Sequence, residues 1–110
     1  MESLQIFNYN ASAVAFKTID GEVYANATEM CKVFGKKPAE FLRLPNTIRY
    51  MEAIKVKCEN PTSLFETKKG NSEDFTQGTW IHEKLILKLA QWLDVNFEIW
   101  CDEKIAELLR

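Results

Sequence analysis

Between Leu4 and Ala25 apolar and polar residues alternate, and at Asn26 that period of two gives way to spacings of three and four. A period of two belongs to strands and a period near 3.6 to helices, so strands come first and helices after. Leu4–Tyr9 and Ala13–Ile19 each read as a strand, with turn-forming Asn10-Ala11-Ser12 between them. Asp20-Gly21, a strong hairpin signal, then leads into Glu22-Val23-Tyr24-Ala25. This spacing predicts a small antiparallel meander.

Asn26-Ala27-Thr28-Glu29 has the pattern of a capping box, in which the Asn side chain accepts from a first-turn amide and Glu29 reaches back. Met30, Val33 and Phe34 supply the apolar stripe of a short helix that Gly35 ends. Pro38 suits a first helical position and opens Ala39–Leu44. Pro45-Asn46 starts another helix, Asn46–Glu59. Its apolar Ile48, Met51, Ile54 and Cys58 are expected to face inward, and Asn46, Arg49, Tyr50, Ala53 and Lys57 outward.

Ser63–Thr67 and Phe75–Ile81 regain strand character around the polar tip Lys68-Lys69-Gly70-Asn71-Ser72-Glu73-Asp74. A strand, a basic tip and a strand placed after a helix pair have the layout of a winged helix. From His82 onward Leu85, Ile86, Leu89, Trp92 and Leu93 repeat at helical spacing, and Asp94 can cap a following helix, Val95–Leu109. The pattern predicts an α+β, winged-helix-like fold: N-terminal antiparallel strands, a helix pair, a β-hairpin wing and a C-terminal helical hairpin. The length suits a single domain over residues 1–110. The helical pattern runs to Arg110 without a cap, which implies a domain at the N-terminus of a longer protein.

The formal net charge is −2, but its parts are unequal. Residues 1–30 carry −3, residues 31–72 carry +5 and residues 73–110 carry −4. A cationic middle between anionic flanks suits one surface that meets a polyanion, and suits equally a solvated surface whose signs cluster.

Catalytic chemistry finds little support. His82 is the only histidine, and in His82-Glu83-Lys84-Leu85-Ile86 an isoleucine stands where a zinc-binding H-E-x-x-H pattern needs its second imidazole. His82 reads instead as a first-turn helix residue. Cys31, Cys58 and Cys101 form an odd, widely spaced set, reading as reduced packing thiols of an intracellular protein. The glycines make no phosphate-binding loop. Trp92 and Trp100 fit the helical stripes and read as core, and Trp80 as packing the wing onto the body. The reading is therefore no enzyme, no metal, no cofactor and no membrane span.

Two features remain, the outward helix face and the basic tip. A helix fits the major groove, and lysines and arginines beside it can neutralise phosphates. Asn46, Arg49 and Tyr50 are candidates to face the groove; Lys36, Lys37, Arg43, Lys57, Lys68 and Lys69 are candidates for phosphate, and Thr47, Asn71 and Gln77 are further DNA-contact candidates.

Val23-Tyr24-Ala25-Asn26-Ala27-Thr28-Glu29-Met30-Cys31 and Gln77-Gly78-Thr79-Trp80-Ile81-His82, with the helical hairpin after them, resemble a KilA-N domain over roughly residues 4–110. That family of phages, large DNA viruses and bacteria is similar to the fungal APSES domain. The resemblance implies double-stranded DNA as partner and a role in phage or bacterial gene regulation, of antirepressor or transcription-regulator type. It also implies a fused or separate C-terminal regulatory domain and a nucleoid-associated, cytoplasmic location. It places the first helix of the pair at 26–34, the recognition element within 38–59 and the wing at 64–80. A protein-interaction module without DNA contact is the alternative, motivated by the acidic exterior of residues 82–110.

Overall fold

A computed structural model describes residues 2–57, 64–68 and 77–109. β1 (Glu2–Tyr9), β2 (Ser12–Ile19) and β3 (Glu22–Asn26) form the expected meander. Both of its turns are two-residue loops with positive φ at each position: Asn10 (49°) and Ala11 (67°), then Asp20 (51°) and Gly21 (81°). These are type I′ turns, whose twist matches that of the strands they join. Only the second carries the glycine that such a turn prefers.

The chain leaves the sheet through α1 (Ala27–Val33), α2 (Pro38–Leu42) and α3 (Pro45–Lys57). It returns as β4 (Phe65–Lys68) and β5 (Gly78–His82). β5 inserts beside β3, pairing Tyr24 with His82 and Asn26 with Trp80, so all five strands make one antiparallel sheet in the order β1-β2-β3-β5-β4. The wing hairpin is thus an extension of the meander sheet. Its tip, with Lys69 and Asn71, lies outside the described residues, as does Cys58.

α4 (Glu83–Leu93) and α5 (Val95–Leu108) form the helical hairpin. Asp94 both ends the first and caps the second, its carboxylate accepting from the amide of Phe97 at 3.0 Å. Val14, Phe16, Val23, Ala25 and Ile81 meet Met30, Leu85, Ile86, Leu89 and Phe97 in the core. Tyr9, Phe97 and Trp100 add an aromatic cluster, Phe97 stacking on Trp100 at 5.6 Å between ring centroids. Trp100 is half-buried against the core.

Strand alternation turns Trp80 and His82 to the face opposite Ile81. Trp80 is fully buried there between β3 and β4, and the ammonium of Lys17 lies 4.4 Å from its ring centroid. His82 is the N-cap of α4 rather than a first-turn residue. Its Nδ1 accepts from the amide of Lys84 at 3.2 Å, which leaves Nε2–H to donate to Glu22 Oε1 at 3.1 Å. The side chain is structural.

The α1 start carries one correction. Asn26 caps the helix as predicted, accepting from the amide of Glu29 at 3.1 Å. Glu29 does not reach back to the cap. Its carboxylate accepts from the amide of Ala15 at 2.7 Å, at the point where β3 has turned into α1 and no longer pairs with β2. Burial pushes the Glu29 carboxyl up from its ordinary value, against the lowering effects of the Ala15 amide and Lys32.

Candidate nucleic-acid interface

Two short segments far apart in sequence are locked together. The Asn26 carboxamide donates to the carbonyl of Gln77 at 2.9 Å, and Thr28 Oγ1 accepts from the amide of Thr79 at 2.9 Å. The start of α1 is therefore pinned to the start of β5, and wing and helix pair share one frame.

α2 and α3 follow. Gly35, at φ 68°, closes α1 with its amide donating to the Lys32 carbonyl, and the amide of Lys36 donates to the Cys31 carbonyl. Pro38 opens α2, with exposed Lys37 as its N-cap, and exposed Arg43 ends it. α3 begins at Pro45 with no acidic residue in its first turn and ends with Lys55 and Lys57, both exposed. Its N-terminal amides present a partial positive charge beside Asn46.

The face that α3 presents differs from the expected one. Thr47 is 6% exposed, whereas Ile48 is 40% exposed and Val56 86%. The buried seam is Thr47 with half-buried Tyr50, Met51 and Ile54, at i, i+3, i+4 and i+7. Thr47, expected among the DNA-contacting side chains, is buried in this seam. Tyr50 is likewise not simply outward: its ring packs against the core and lies under the ammonium of Lys88, 4.6 Å from the centroid. Turning the helix this way buries the large Tyr50 ring and leaves the smaller Ile48 at the surface, the more favourable exchange by area.

Asn46 and Arg49 remain exposed. They are joined, Arg49 Nη2 donating to Asn46 Oδ1, which holds the guanidinium alongside the carboxamide with its other donors available. Gln77 is half-buried just before β5, its carbonyl held by Asn26. Lys68 ends β4 at the base of the wing.

α4 supplies further residues to this region. A groove of about 350 Å³ between α3 and α4 is lined by Asn46, Thr47, Tyr50, Lys88, Gln91 and Trp92, with Phe41 and Leu44 beneath. Trp92, expected in the core, is half-buried: Phe41 lies against it at 5.8 Å, and the ammonium of Lys36 stands 4.2 Å from its centroid. Lys36 and Lys88 thus stand over two of the three aromatic side chains that line the groove, and Lys88 itself lines it. Neither Lys88 nor Gln91 carries a local signal, since only the packing of α4 against α3 brings them there.

Among the described residues no group of three or more His, Cys, Asp or Glu could hold a metal ion, and no helix is long and apolar enough to cross a membrane. Cys31 and Cys101 are buried, each thiol pushed up to about 12 by that burial.

The structure is thus an α+β domain whose first helix is pinned to the second wing strand and whose α3 carries exposed Arg49, Lys55 and Lys57. The KilA-N domain model matches residues 7–110, and the chain belongs to that family. It is 27% identical over 85 residues to the KilA-N domain-containing protein 006L of Invertebrate iridescent virus 6, covering 73% of this chain and 24% of that protein. It is 26% identical over 88 residues to protein 313L of the same virus, also named for a KilA-N domain, covering 74% and 25%. The chain therefore spans about a quarter of the length of these relatives. No solved structure matches it. KilA-N is a family of DNA-binding domains and not a class of enzymes.

Proposed function

We propose that the chain binds double-stranded DNA, with Asn46 and Arg49 of α3 at base edges and Lys37, Arg43 and Lys57 on phosphates. The observation that carries the reading is the Asn46–Arg49 pair on an exposed helix face, between cationic residues at 36–43 and 55–57. A guanidinium can address guanine and a carboxamide adenine in the major groove, and flanking cations release counterions from the backbone. Lys68, Lys69, Asn71 and Gln77 extend the contact through the wing. The setting is regulation of phage or bacterial genes, of antirepressor or transcription-regulator type, in the cytoplasm at the nucleoid, with a fused or separate regulatory domain.

A selection from random duplexes, followed by fluorescence titration, tests this. Arg49→Ala should cost about 1–3 kcal/mol on the selected sequence and far less on an unrelated duplex. No duplex binding even at low salt removes the proposal.

A second reading rests on α5, where Val95 and Ile99 are exposed one turn apart beside acidic Asp102. That face suits a protein partner. A partner captured on it would be lost on charge reversal at Glu98 or Asp102, and its survival of both reversals would end the reading.

A further inference from the structure

We propose that the groove between α3 and α4 takes a single unstacked nucleobase, so that the domain also engages an unpaired DNA strand. The proposal rests on the reading of this face as one that meets nucleic acid, and goes beyond duplex contact.

The lining decides the ligand. Tyr50 and Trp92 are both half-buried, and Phe41 and Leu44 close the floor. Aromatic walls offer nothing to a phosphodiester, and a paired, stacked base exposes no face to them. An unstacked base matches, because every base has a flat π-face and stacking on an aromatic ring is tolerant of sequence. About 350 Å³ admits a base together with part of its sugar. Asn46 and Gln91 place two carboxamides at the rim, each able to donate to and accept from a base edge.

The cations complete the arrangement. Lys36 and Lys88 rest over the Trp92 and Tyr50 rings at 4.2 and 4.6 Å. Each long stem lets its ammonium leave the ring for a flanking phosphate, exchanging a weak contact at a partly solvated ring for a charge pair. Within the groove the base then takes the Tyr50 ring that Lys88 uncovers. A second cavity, of about 330 Å³, adjoins through Tyr50, Lys88 and Gln91 and is bordered by Lys84, Glu83 and Glu98.

The experiment compares two labelled single strands of about ten nucleotides, an oligothymidylate and an abasic oligomer carrying the same phosphates, titrated into the whole chain by anisotropy. The oligothymidylate should bind at least about fivefold tighter, the lower end of what stacking one base supplies. Trp92→Leu and Gln91→Ala should each reduce that ratio, with circular dichroism confirming that the variants fold. Equal binding of the two strands by the unaltered chain overturns the pocket, whatever the variants do. A preference that neither substitution moves overturns its placement. A duplex titration in parallel separates the two proposals: duplex binding without base preference removes only the pocket, and base preference without duplex binding removes only the duplex reading.

Discussion

The carboxamide of Asn26 lies directly against the backbone of Gly78, where a Cβ would stand 3.0 Å from Oδ1 and 3.2 Å from Nδ2. Thr28 Oγ1 would stand 3.1 Å from the same Cβ. Asn26 and Thr28 are the two polar side chains that tie α1 to β5, so the glycine makes room for both bonds. Its φ of +117° is a further demand that only glycine meets easily.

Gly78→Ala should therefore destabilise the chain by about 1–3 kcal/mol, through backbone strain and displacement of the cap. Asn26→Ala should cost about as much, since it removes the α1 cap and its bond to Gln77 together. Urea unfolding checks both. Were Gly78→Ala neutral, the docking of α1 on β5 would not be the joint described.

Ala11 makes the opposite prediction. It sits at φ 67°, in the second position of a type I′ turn where a methyl group is strained. Ala11→Gly should stabilise by up to about 1 kcal/mol, the relief of strain exceeding the gain in unfolded-chain entropy. A lowered thermal midpoint would contradict this.

Glu29 gives a pH signature. Its carboxyl is raised above 4.5 in the folded chain, mainly by burial, so the folded state holds the proton more tightly than the unfolded state. Its contribution to stability is greatest at low pH and is lost as pH rises from about 4.5 through the folded value. Glu29→Gln keeps an acceptor for the Ala15 amide without the buried charge, and should flatten this part of the pH profile with no loss of stability at pH 7. Glu29→Ala should lose about 1 kcal/mol or more by orphaning that amide. Thermal unfolding across this range reads both.

What the sequence made legible was local. The two turns, the Asn26 and Asp94 caps, Pro38 at a helix start and the helical hairpin each follow from residues within four positions of one another. What it hid was long-range. Glu29 stands where a capping box wants it, and only the sheet reveals that the Ala15 amide lacks a strand partner. α3 has apolar residues on too many sides for periodicity to choose a face; in the assembled fold Thr47 and Tyr50 turn inward and Ile48 stays at the surface. Lys88 and Gln91 lie in an ordinary amphipathic helix, and their place in the groove is a property of the assembled fold.

The central claim is that cations on α2 and α3 meet phosphate, and the salt dependence of duplex binding tests it most directly. Lys37, Arg43 and Lys57 are exposed, so their replacement by glutamine should spare the fold. Each neutralised contact should lower the slope of log affinity against log salt by about one. The triple variant should therefore bind duplex more weakly at low salt, with a slope reduced by about three. An unchanged slope in that variant would contradict the account.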